Sequence, residues 1–422
     1  MKIVLVNKSD KTGGAAVACR RLLKALLKNG TDVKMLVQEK TDNDQTVMAT
    51  GIGFVKQKLI FLWFVLERLY FLFYEASKEI RFAFSPAVSG ENIQNNSLVK
   101  NSDIIHLHWF NQGFLSLNSL ENLIKTGKPI VWTLHDMWAF TGGCHYAGNC
   151  NNYKAGCGNC SFLKHPAPQD LSYKILQKKK QLFKDANFTF VTCSKWLREK
   201  AEESSLLKGF KIYDIPNPID QKIFYPMDKQ AIRRKLSLPV NKKLILFAAA
   251  NISDKRKGLS FLLEALDLFI KENTNPLDFE IVTFGKSNDT VFENAAFKVH
   301  HLGVLSETKK IAEVYSLSDL FVLPSLEDNL PNTIMESFAC GTPVLAFNTG
   351  GIPEMVEHKN TGYLADYKSV EDLKNGLEFI LNHPKPEELS KNALKKVKNE
   401  YNEQVVAKKY KEVYASLLNS NL

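Results

Sequence analysis

The sequence is poor in the features that carry a chain into or through a membrane. No uncharged apolar run approaches the roughly 18 residues that a spanning helix needs. The opening, MKIVLVNKSD, has only Ile3 to Val6 as an apolar stretch, too short for the apolar region of a signal peptide. Cysteine is scarce too: seven residues among 422, an odd number. With no export signal, a disulfide framework is the weaker expectation. Long low-complexity tracts are absent, which argues against wholesale disorder, and there is no clean short repeat. Zinc-finger spacing, a basic region with heptads and the aromatic signature of an RNA-reading sheet are also missing, so nucleic acid is not an expected partner.

What is present describes an ordinary globular chain with a basic surplus. Apolar residues make up 45% and charged residues 24%, and 55 basic side chains face 45 acidic ones, a net charge of +10. That balance suits an anionic membrane face or a phosphorylated small molecule. The length suits two or three domains better than one core.

Apolar runs and helical periods alternate along the chain. Strands are expected at Lys2 to Val6, Val33 to Gln38, Ile104 to Leu107, Pro129 to Leu134 and Thr189 to Cys193, with a helix over Ala15 to Lys28. A second series follows the proline pair Pro216 and Pro218. It has strands at Leu244 to Ala249, Phe279 to Phe284, Leu320 to Leu323 and Val344 to Phe347, and helices at Ser260 to Glu272, Lys309 to Ser316 and Thr333 to Cys340. This alternation predicts an α/β chain of two doubly wound, Rossmann-like domains. The expected division is an N-terminal domain over 1–213, a second domain over 214–400, and a C-terminal helix over 401–422 that packs back on the first domain.

The segment Gly51 to Phe84 fits this alternation badly. It holds LIFLWFVLERLYFLFYEASKEIRFAF, with Glu67, Arg68, Glu75, Lys78, Glu79 and Arg81 among the aromatics. It reads either as core helices under the sheet or as a surface that dips into a membrane interface. Glu67 and Arg68 argue against a span.

The richest segment is Phe321 to Glu357, FVLPSLEDNLPNTIMESFACGTPVLAFNTGGIPEMVE. A buried strand stops at Pro324, and a polar loop with Asp328, Asn329 and Leu330 follows. A helix begins near Thr333, with Glu336 about one turn inside. Open parallel sheets bind ligands at the carboxyl ends of their strands, and helix starts attract phosphate. A carboxylate one turn into a helix can accept hydrogen bonds from ribose hydroxyls. Gly350 and Gly351 let backbone approach a ligand closely.

These motifs resemble those of the retaining glycosyltransferases of family 4, which have the two-domain glycosyltransferase-B fold. The matching residues are Asp328 and Glu336 eight positions apart, Cys340 to Pro343, Gly350 with Gly351, Glu354, and Thr361 with Gly362. The resemblance implies two domains facing a cleft, with a nucleoside diphosphate sugar as donor. It puts Asp328 near the sugar and Glu336 on the ribose; the first acid is usually Glu. Lys257, beside Gly258, matches the cation on the diphosphate. A preceding Arg is missing, and Arg256 or Lys255 is its candidate substitute. The linker Ile215 to Asp220 keeps Asn217 and Asp220 and carries Pro218 in place of a glycine.

The first half adds candidates of its own. Gly13 and Gly14 lie between the first strand and helix. They lack the third spaced glycine of a dinucleotide fingerprint, and the resemblance sets their loop against the donor. His135 and Asp136 end a strand. The resemblance implies that His135 touches the sugar near the anomeric carbon, as an orienting group rather than a general base. Cys144, Cys150, Cys157 and Cys160 lie within the glycine-rich stretch 140–165. Their spacing leaves three readings open: a structural zinc with four thiolate ligands, free thiols, or disulfides. His145 is a competing ligand. The run from His135 to Cys160 is similar to that of a bacterial subgroup that builds surface polysaccharides.

The expected activity is therefore retaining transfer of a sugar to a glycan or lipid-linked glycan, without a catalytic cofactor. The expected place is cytoplasmic, peripheral on the inner membrane face. The rival readings are a non-catalytic nucleotide-sugar or glycan-binding protein and a nucleotide-sugar epimerase of the same fold.

Overall fold

The computed structural model describes residues 1–184, 186–272, 279–287, 292–293 and 295–419. The chain divides into two compact units. One comprises Met1–Asn217 with Val406–Leu422, the other Pro218–Val405. The first boundary thus falls four residues beyond Tyr213, and the final segment returns to the first unit from Val406.

The first unit is built on a seven-stranded sheet. Its strands are β1 (Lys2–Ser9), β2 (Asp32–Glu39), β3 (Val47–Ala49), β4 (Ile104–Leu107), β5 (Ile130–Leu134), β6 (Phe188–Thr192) and β7 (Ile212–Asp214). Their order is β3-β2-β1-β4-β5-β6-β7, and every pairing is parallel. The central strands are buried on both faces, which is why they read as apolar runs rather than alternations. Helix Gly14–Lys28 buries Ala18, Cys19, Leu22, Leu23 and Leu26 against β1 and β2, and Gly30 follows its end with φ 72°. The last helix, Glu403–Asn419, sets Val406, Tyr410, Val413 and Tyr414 into the same core as Ile3, Leu5 and Val131.

The second unit holds six parallel strands: β8 (Lys243–Asn251), β9 (Phe279–Lys286), β10 (Val299–His301), β11 (Leu320–Leu323), β12 (Val344–Phe347) and β13 (Gly362–Ala365). Their order is β10-β9-β8-β11-β12-β13. In each sheet the order reverses once, between β1 and β4 and between β8 and β11. Those two points open a crevice at the carboxyl edge of an open sheet.

Helix Phe54–Leu72 departs from the pattern. One face is buried: Glu67, Arg68 and Phe71 lie inside. Gly113, at φ 85°, packs directly on the helix backbone, and a Cβ there would stand 2.6 Å from the Phe64 nitrogen. The opposite face exposes Phe54, Val55, Leu59, Phe61, Leu62, Leu66, Leu69 and Leu72, with Phe73 just beyond. The segment is thus neither a plain core helix nor a span. No described helix is long and apolar enough to cross a membrane.

Candidate functional site

In the second unit the loops after β8, β11 and β12 are tied into one surface. Lys257 ends a short 3-10 turn, Lys255–Lys257, that Asp254 caps through the Arg256 amide. Its Nζ donates to the Asp328 carboxylate at 2.7 Å. The Leu326 amide donates to the Arg256 carbonyl at 2.8 Å, and the Gly351 amide to the Asp328 carbonyl at 3.2 Å. Gly350 has φ 58°, and a Cβ on it would lie 1.9 Å from the Asp328 carbonyl oxygen. No other residue fits that position without moving the loop. Gly258 meets the Pro324 carbonyl with the same closeness.

Lys257 and Asp328 therefore sit on either side of the β8/β11 reversal. Asn329 and Leu330 are buried beside them, and Glu336 is buried on helix Asn332–Ala339, which starts after Pro331. The exposed Arg256 guanidinium lies 3.5 Å from Asp254. The shape of this surface suits an anion: a cation, a helix start and glycine-lined backbone face one edge of the sheet.

In the first unit Gly13 has φ 90° and open space around it, so its backbone conformation, not crowding, calls for glycine. Gly14 opens the first helix. Ser9 Oγ accepts from the Lys11 and Thr12 amides and shapes the loop.

His135 and Asp136 follow β5, and His108 and Trp109 follow β4 next to it. His135 Nε2 shares a hydrogen bond with His108 Nδ1 at 3.0 Å. Its Nδ1 lies 3.6 Å from the Cys193 sulfur. Burial lowers the His135 pKa to about 4, against the pull of the Asp136 charge. His106, inside β4, is held down to about 3, first by burial and then by His135. Its nitrogens bond Tyr414 and Thr133, each at 2.7 Å.

Asp136 accepts from the Trp138 amide at 2.8 Å, from the Trp109 indole at 3.1 Å, and pairs with His145 Nδ1 at 2.7 Å. Burial works to raise this carboxyl, but the charge and hydrogen bond of His145 and the Trp138 amide outweigh it. The pKa lies below the ordinary value. The sequence reading missed His108 and Trp109. The signal was there in His106-Leu107-His108, polar residues closing a buried strand as His135 and Asp136 do.

Cys144, Cys150, Cys157 and Cys160 line one small cavity of about 20 Å³. All four are free thiols. Burial raises Cys157 to about 11 and pushes Cys144 higher still. The Gly142 amide donates to the Cys157 sulfur at 3.2 Å. Lys179, fully buried, lies 3.5 Å over the Trp138 ring and donates to the Thr141 carbonyl. Burial takes its pKa down to about 7, opposed by Cys157 and Cys144. As the side chains stand, no group of three or more His, Cys, Asp or Glu among the described residues is arranged to hold a metal ion. His145 is engaged by Asp136 and Ser85 instead.

Two family models match the chain. Residues 12–222 match Glycosyltransferase Family 4, and residues 228–396 match Glycosyl transferases group 1. The chain belongs to glycosyltransferase family 4. Among its relatives in this family is WcaC of Escherichia coli strain K12, which carries the provisional name colanic acid biosynthesis glycosyl transferase. It is 26% identical over 60% of this chain and 62% of its own length. A Campylobacter jejuni protein is 28% identical over 46% of this chain and 52% of its own length. It is named N,N'-diacetylbacillosaminyl-diphospho-undecaprenol alpha-1,3-N-acetylgalactosaminyltransferase. Both matches thus span less than two thirds of the relative. The fold is that of HepE from Anabaena, solved with UDP, at a TM-score of 0.64, 15% identity, and 99% and 100% coverage of the two chains.

Proposed function

We propose that this protein transfers a sugar from a nucleoside diphosphate sugar to a glycan or lipid-linked glycan in surface-polysaccharide synthesis, with retention at the anomeric carbon. The observation that carries the reading is the Lys257–Asp328 pair at the β8/β11 reversal, locked by Gly350. A diphosphate entering there offers Lys257 a second anionic partner. Charge that grows on the leaving phosphate as the glycosidic bond breaks then falls on a positioned cation. Glu336 takes the ribose and Asp328 faces the sugar. In the transfer, the bond from the anomeric carbon to the phosphate oxygen breaks and one to the acceptor oxygen forms on the same face. The acceptor's proton passes to the leaving phosphate. His135, neutral and internally bonded, orients rather than accepts that proton. The relatives lend support through what their names state: a diphospho-undecaprenol acceptor for the Campylobacter protein, and bound UDP in HepE.

The deciding experiment screens nucleotide-sugar donors with and without lipid extracts by mass spectrometry. Transfer only with an acceptor, and a product of unchanged anomeric configuration, supports the reading. Turnover of the donor alone favours an epimerase, and an inverted product removes the retaining step.

Two further parts belong to this proposal. The exposed face of helix Phe54–Leu72 docks on an anionic membrane surface. Eight large apolar side chains lie on it without an acid, Lys58 flanks them, and the chain is basic overall. The four cysteines of the 140–165 segment hold a structural zinc. Their shared cavity and the Gly142 amide on Cys157 support it. Less than half an equivalent of zinc in fresh reduced protein overturns this part.

A further inference from the structure

The Asp136 carboxylate gathers three segments beside His135. Its Oδ1 accepts from the Trp138 amide of its own loop. Its Oδ2 accepts from the Trp109 indole, after β4, and meets His145 Nδ1 of the cysteine-rich segment at 2.7 Å. His145 Nε2 in turn meets Ser85 Oγ at 2.9 Å. Ser, His and Asp thus stand in the atom order of a hydrolytic triad. Ser85, however, is 0% exposed, so no substrate reaches its hydroxyl. What the order leaves is its other end, the hold on Asp136.

The base of that hold is rigid. The His145 amide donates to the Ala83 carbonyl at 2.9 Å, and its carbonyl accepts from the Met137 amide at 2.8 Å. The Ser85 amide donates to the Gly143 carbonyl at 2.8 Å, and its carbonyl accepts from the Trp138 indole at 2.8 Å. Arg68, on helix Phe54–Leu72, donates to the Phe84 carbonyl at 3.1 Å. The hydrogen-bond direction follows from the carboxylate. Burial works to raise the Asp136 carboxyl, but the charge and hydrogen bond of His145 and the Trp138 amide bring it below the ordinary value. An ionised carboxylate only accepts, so the hydrogen lies on His145 Nδ1. The Ser85 hydroxyl can donate or accept and fits Nε2 either way.

We infer that His145 is a positioning residue: bonded through Nδ1 to Asp136 and braced by Ser85, it fixes the loop that carries His135. The Trp138 amide lies inside that loop and only shapes its turn. His145 ties the loop to a frame outside it. The consequence for sugar transfer rests on the proposed function, in which His135 faces the donor. The hold on the loop does not.

Two amide side chains separate the two ring nitrogens. In His145→Asn the amide nitrogen falls close to the place of Nδ1 and keeps a donor for Asp136. In His145→Gln it falls close to the place of Nε2 and meets Ser85 instead. Both variants lose the ring packed on Trp109, so a merely structural role costs them alike. The test is two-bond ¹H–¹⁵N correlation on the full-length protein labelled with ¹⁵N-histidine, at pH 7 and without donor, with His135→Gln assigning the His135 signals. The expected wild-type spectrum has a hydrogen on His145 Nδ1. The His135 signals are expected to match wild type in His145→Asn and to be displaced in His145→Gln. In sugar transfer, kcat is expected to stay within about threefold in His145→Asn and to fall about tenfold or more in His145→Gln, with the donor KM little changed. A bare Nδ1 on wild-type His145 overturns the inference even if neither variant folds. So do His135 signals, or kcat values, that respond equally in the two variants. A wild type that transfers no sugar refutes the proposed function, and the donor-free spectra then decide this inference by themselves.

Discussion

At the residue scale the candidate site depends on a few atoms that admit no substitute. Gly350 is one: the Asp328 carbonyl lies where a Cβ would go, and its φ is left-handed. Gly350→Ala is expected to cost about 1–3 kcal/mol of local strain and to weaken binding of uridine or guanosine diphosphate. Calorimetric titration beside a melting curve separates the two effects, and unchanged affinity would remove the loop from the site.

The buried histidines set a pH window. His135 and His106 titrate near 4 and 3 in the folded chain, against about 6.5 unfolded. Below pH 6.5 the unfolded state takes up protons that the folded state refuses. Stability is thus full above that pH and falls as pH drops toward 4, by up to about 1.4 kcal/mol per pH unit for each histidine. Urea unfolding at pH 7.5 and 5.5 checks the sign, and equal stabilities would contradict it.

At the element scale, the helix Phe54–Leu72 joins two different faces. Its inner face is specified by polar contacts. Glu67 accepts from the Gly113 amide at 3.1 Å and pairs with Arg68 at 2.6 Å, while Arg68 also reaches the Phe84 carbonyl. Its outer face presents apolar side chains, with Lys58 over the Phe54 ring. Leu62→Glu with Leu66→Glu is expected to leave the melting temperature within a few degrees while cutting sedimentation with anionic vesicles about tenfold or more. Unchanged sedimentation would sink the membrane role. The sequence left core and interface open for this segment because its apolar residues surround the helix. Periodicity cannot tell which half is covered until Gly113 and Phe84 arrive from elsewhere in the chain.

At the scale of the whole molecule, the helix Glu403–Asn419 packs into the same core as the first strand. Tyr410 and Tyr414 lie in the core of the first sheet, and their hydroxyls bond Thr133 and His106. Tyr414→Phe strands one nitrogen of His106, a loss of about 1–3 kcal/mol by the usual cost of an unpaired buried group. Chemical denaturation measures it, and a neutral result would show that His106 finds another partner.

How much of this was legible beforehand follows the range of the interactions. The long central strands, the first helix and the loop of Asp328 and Glu336 were readable, since apolar runs, Gly30 and Pro324 act within a few residues. The short strands Val47–Ala49, Val299–His301 and Gly362–Ala365 were not read, since three or four residues carry no period and gain their form from a neighbour's edge. The sequence by itself determined the alternation of the two doubly wound units and the residue types at the loops of the candidate site, because both are local patterns. Only the tertiary structure decided that Lys257 lies on Asp328, that Gly350 closes over its carbonyl, and that His108 stands behind His135. Those contacts join residues 71, 22 and 27 positions apart, and only the packing of parallel strands side by side brings such distant loops to one edge.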